Sequence, residues 1–117
     1  MKTPKADKQA ETFFRSLLPE DSRIVVRPMF GQASAFLNGN MFAGTFGEQV
    51  FVRLSEEDGS VLMKEKGASF FSPMQGRQMK SYVVFPPSWA REPAKARPWV
   101  IKSIEWVGTM PPKKKRS

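Results

Sequence analysis

Arginine interleaved with phenylalanine is the pattern in this chain best suited to chemistry. Arg27, Phe30, Phe42, Phe51 and Arg53 all fall in one short stretch. Guanidinium groups beside aromatic rings serve protein interfaces and also stack on bases. A second cationic feature is the run Lys113-Lys114-Lys115-Arg116, which can neutralise phosphates without sequence preference. Glu56, Glu57 and Asp58 look at first like metal ligands. Consecutive helical positions point in different directions, however, and acids in a first turn complement the helix dipole. Glu20-Asp21 reads as a loop pair. The chain has no histidine and no cysteine. That excludes Ser-His-Asp and Cys-His catalysis, thiolate zinc sites and disulfides. No phosphate-binding glycine pattern is present. The expectation is therefore no catalytic residue, no metal ligand and no cofactor. Trp89, Trp99 and Trp106 read as core or helix anchors, and Ser72–Lys80 as an ordinary connector.

These side chains need a scaffold, and 117 residues suffice for one domain with a real core. The net charge is +8, from 19 basic and 11 acidic residues. Without the terminal run the balance is 15 against 11, so the body is only mildly basic. No apolar run is long enough for a membrane span or a signal peptide. A cytoplasmic protein is expected, divided into a flexible leader (1–9), a folded domain (10–108) and a basic disordered tail (109–117).

Apolar residues Ala10, Phe13, Phe14, Leu17 and Leu18 make one helical stripe over 6–18, ended by Pro19. Strand Arg23–Arg27 follows, and Pro28 points to an edge. Asn38-Gly39 predicts a type I′ hairpin turn and Gly47-Glu48 a type II′ turn. Counting across the second turn pairs Phe46 with Gln49, Thr45 with Val50, Gly44 with Phe51, Ala43 with Val52, Phe42 with Arg53 and Met41 with Leu54. Met41, Ala43, Thr45, Val50, Val52 and Leu54 then face the helices. Phe42, Gly44, Phe46, Gln49, Phe51 and Arg53 face the other way, partly exposed or at an interface. Phe51 can lay its ring over bare Gly44. Ser55 caps a helix to about Lys66, stopped by Gly67. A short strand at 68–71, a loop at 72–78, strand Lys80–Phe85 and a helix from Pro98, as N1 residue, to Val107 complete the order. A turn over 88–96 leads into that helix. The fold class is α+β: a two-layer antiparallel sheet with helices on one face, ordered helix, three or four strands, helix, two strands, helix.

Arg27-Pro28-Met29-Phe30-Gly31, Asn38 to Gly44, Gly67, Met79 to Val84 and Arg97-Pro98-Trp99-Val100 together resemble the TfoX N-terminal domain family, whose founding members regulate bacterial natural competence. The resemblance covers roughly residues 10–107 and implies a small secretion-chaperone-like α+β fold. It carries over no catalytic residue. The competence regulators have a further C-terminal domain, and this chain reads as a stand-alone version. Gln32 and Ala33 stand where the family pattern favours another glycine. The resulting expectation is a non-enzymatic regulatory or interaction module, bacterial, linked to transcription or competence. Its partner is a protein, a second copy included. The alternative is a weak, non-specific nucleic-acid binder acting through its tail.

Overall fold

Both tight turns form where their residue types place them. In the computed structural model, which describes residues 4–29, 31–74 and 77–112, Asn38 (φ 51°) and Gly39 (φ 82°) both have positive φ. Gly47 alone does so in the next turn, with φ 61°. These are the backbone demands of types I′ and II′. The turns join β2 (Gln32–Leu37), β3 (Asn40–Phe46) and β4 (Gln49–Arg53). Strands β1 (Ile24–Met29), β5 (Ser69–Met74) and β6 (Arg77–Val84) complete a six-stranded antiparallel sheet ordered β1-β2-β3-β4-β6-β5. Helices α1 (Lys8–Ser16), α2 (Glu56–Leu62) and α3 (Pro93–Gly108) are added, with a 3₁₀ turn at Pro87–Arg91. The class is α+β, in the expected order.

Register across β3 and β4 follows the count from the turn: Phe46 opposes Gln49, Thr45 Val50, Gly44 Phe51 and Ala43 Val52. Beyond Ala43 the expectation fails. Between β2 and β3, Ala35 opposes Ala43 but Phe36 opposes Met41, so Phe42 is an extra residue. Such a bulge turns two successive side chains to one face. Phe42 enters the helix-covered core beside Ala43, and Met41 goes to the other face. The bulged strand's Phe42 carbonyl accepts a 3.1 Å hydrogen bond from the hydroxyl of Ser103, fully buried on α3. A buried carbonyl is thereby satisfied.

Other boundaries shift: the first helix is Lys8–Ser16 rather than 6–18, and the first strand is Ile24–Met29. The last helix starts at Pro93, not Pro98, because the added turn buries Ala96 in line with Val100, Ser103, Ile104 and Val107. Pro98 lies inside the helix on an exposed position, where water can serve the carbonyl it leaves unpaired. Helix α2 ends at Leu62, a turn before Lys66; Ser55 caps it as expected, accepting from the Asp58 amide at 3.2 Å. The loop expected at 72–78 is instead a hairpin of β5 and β6, with Met74 opposite Arg77. Pro73 is tolerated because β5 is an edge strand, as β1 is for Pro28. The two strands that carry proline are thus the two edges, where a missing donor also discourages pairing with foreign strands.

The helices pack on one face. The core there joins Phe13, Phe14 and Leu17 with Leu37, Phe42, Val52 and Val83 of the sheet, Leu62 of α2 and Val100 and Val107 of α3. Trp89 belongs to it and lies 5.7 Å from the Phe85 ring; Trp99 packs at its margin and Trp106 is exposed.

Candidate functional site

The face of the sheet without helices is built mainly of rings. Phe51 and Phe71 stack at 4.3 Å between centroids, Phe46 meets Phe71 edge-on at 5.2 Å, and Tyr82 meets Phe51 edge-on at 5.5 Å. With Val84 they form a second cluster, and Met41 packs against it. Stacked and edge-to-face rings attract beyond the area they bury. The Phe51 ring lies over Gly44 as expected. A Cβ there would sit 2.8 Å from the Phe51 Cζ and 3.2 Å from the Ala33 carbonyl oxygen.

Above these rings lies an apolar pocket of about 220 Å³. Phe46, Phe51 and Phe71 form its floor; Met29 from the β1–β2 hairpin and Pro73 and Met79 from the β5–β6 hairpin form opposite walls. Gln32, Ser34, Met41 and Thr45 complete the lining. Gln32 is a buried clamp. Its Nε2 donates to the Pro4 carbonyl at 2.6 Å, and its Oε1 accepts from the Gly47 amide at 3.2 Å. The chain before α1 is thereby held against the β3–β4 turn.

Two arginines lie on the same face of the sheet, outside the pocket lining. Arg27 opposes Ser34, and its guanidinium carbon lies 4.4 Å from the centre of the Phe36 ring. Arg53, two residues beyond Phe51, opposes Tyr82 and lies 5.7 Å over its ring. Its Nε is buried with no hydrogen-bond partner. Burial pushes the Tyr82 hydroxyl above the usual phenol range, and the Arg53 charge partly opposes that shift.

Of the surface expected from sequence, Arg27, Phe51 and Arg53 share this face. Phe42 does not, because the bulge turns it into the core. Phe30 lies outside the described residues, as do Lys113, Lys114, Lys115 and Arg116. Sequence reasoning missed Phe71, Tyr82 and Met29, and set Met79 aside as part of a connector; the alternation of Tyr82 and Val84 along β6 was the available signal for one of them.

Other concavities gather polar groups too: one holds Lys8, Thr12, Ser16 and Arg91, another Glu11, Arg15 and Arg27. A larger cleft of about 450 Å³ beside α1 has only Asp7 and Glu48 as titratable lining residues, and Asp7 already caps α1 through the Ala10 amide at 2.8 Å. No group of three or more acidic residues among those described could hold a metal ion. No described helix is long and apolar enough to cross a membrane.

A family model described as "TfoX N-terminal domain" matches residues 16–106, most of the chain. No curated protein and no solved structure matches it.

Proposed function

The chain belongs to the TfoX N-terminal domain family, and from that premise we propose that it is a non-enzymatic regulatory module that binds a protein partner through the helix-free face of its sheet. The observation that carries this reading is the pocket. It is apolar, it lies on the face that no helix covers, and that face also carries Arg27 and Arg53. Buried aromatic floors with arginine at the margin are the composition of interface hot spots. Methionine walls add conformability, because an unbranched thioether adjusts to different guests. Catalysis is not part of the reading: no charged group lines the pocket that carries it. A role in regulation, extending to competence or transcription, follows the family's founding members.

The test compares the full chain with the double variant Met29→Gln, Met79→Gln. Both methionines are more than a third exposed, so the fold should tolerate the change. Each protein is immobilised and exposed to extract of its native cells, and retained proteins are quantified by mass spectrometry. A protein held by the wild type and lost from the variant supports the reading. Equal retention by both overturns it.

A further inference from the structure

Resting on that interaction reading, we infer that the partner presents an acidic segment with one bulky apolar side chain, which fills the pocket while its carboxylates meet Arg27 and Arg53. Size argues first. Cofactor and small-ligand sites run from about 300 to 1,000 Å³, whereas this pocket holds about 220 Å³. That is room for a side-chain anchor.

Charge argues second. Asp and Glu are absent from all six strands, and the charged strand residues are Arg27, Arg53, Arg77 and Lys80. All 11 acidic residues lie on helices, turns or loops. The net charge of the whole chain hides this segregation. Neither Arg27 nor Arg53 takes part in an ion pair among the described residues.

The orphan donor argues third. A buried N–H without an acceptor is costly, and the Arg53 Nε is in that condition. A carboxylate arriving on this face can meet the terminal nitrogens of Arg53, and a shift of the side chain would bring Nε into the same fork.

The same features disfavour other occupants. A second copy would bring an equally cationic sheet, and like charges across an interface repel. Single-stranded nucleic acid needs free ring faces, but Phe51, Phe71 and Tyr82 are packed against one another and buried.

The experiment selects binders to the full chain from a displayed library of random peptides. The expected winners carry an aromatic, Leu or Met residue with Asp or Glu close on either side. Their affinity should fall about tenfold or more in Arg27→Glu, Arg53→Glu, and that variant should prefer a lysine-substituted peptide. Thermal melting checks each variant. Arg27→Gln, Arg53→Gln, which keeps much of each stem, replaces the reversal if melting drops, and the same weakening is then expected. Winners that are neutral or basic, indifferent to the arginine changes but lost in Met29→Gln, Met79→Gln, overturn this inference and leave the interaction reading standing. Winners indifferent to the methionine change overturn both. Dimerisation in sedimentation, or oligonucleotide binding, that requires the methionines and resists competition by acidic peptides overturns the inference in favour of those occupants.

Discussion

The two faces of the sheet both hide large apolar side chains, but by different means. On one face Phe42, Val52 and Val83 are covered by helices, and α3 even reaches down to bond the Phe42 carbonyl through Ser103. On the other, Phe51, Phe71 and Tyr82 bury one another with no second layer. The first arrangement is a closed core in which volume is fully used. The second leaves a pocket, because a single layer of rings cannot fill the space between two hairpins. A face can thus be well packed at its floor and still unpartnered at its surface. The covered face accounts for stability; the uncovered one has shape and charge left to offer a partner.

Substitutions can break or sharpen that contrast. Phe42→Ala should have the largest effect, about 3–5 kcal/mol, since it opens a cavity in the closed core. Urea unfolding measures it, and a loss under about 1 kcal/mol would mean the helix layer does not seal that face. Gly44→Ala should come next, at about 1–3 kcal/mol, because the new methyl meets the Phe51 ring and the Ala33 carbonyl and must push the ring toward the pocket. The same variant should bind pocket-directed peptides more weakly, so titration and unfolding report together on one contact. Ser103→Ala should cost about 1–2 kcal/mol by stranding the bulge carbonyl. Amide exchange near Met41–Ala43 should quicken with it; unchanged exchange would show that the bulge holds without α3.

The smallest effect tests a place remote from both faces. The Arg23 side chain, hydrogen-bonded to Asp21, holds that carboxyl at about 2, below its usual 3.8. A depressed carboxylate pKa contributes stability above the unfolded value and loses it as pH falls toward the folded one. Asp21→Asn should therefore flatten a slight decline in melting temperature between about pH 4 and pH 2, and leave neutral pH nearly unchanged, as expected for an exposed pair. A large change at pH 7 would contradict the exposed geometry.

Much of this architecture was legible in the chain. Asn38-Gly39 and Gly47-Glu48 are local signals, because positive φ is a property of those residues themselves. They set two hairpins and four correct pairings. The apolar stripe of α1 and the Ser55 cap are equally local. Phe51 and Arg53 were assigned to one face by counting, and they lie there; Arg27 was grouped with them by residue type alone. Phe42 was misassigned because nothing nearby announces the bulge. Its stabilising partner, Ser103, is 61 residues away. Pro93 and Pro98 were both acceptable first-turn residues, and only the burial of Ala96 decides between them. Pro73 argued for a loop until its strand proved to be an edge.

What the amino-acid order determined alone was most of the helices and strands, the two tight turns, and that histidine and cysteine chemistry is absent. Those follow from backbone preferences and residue inventory, which act over a few positions. Tertiary structure decided which side of the bulge faces the core, and it brought Met29, Phe51, Phe71 and Met79 around one hollow on the face that also carries Arg27 and Arg53. Side chains from four different strands meet there only after the sheet is assembled, and no local preference records that meeting.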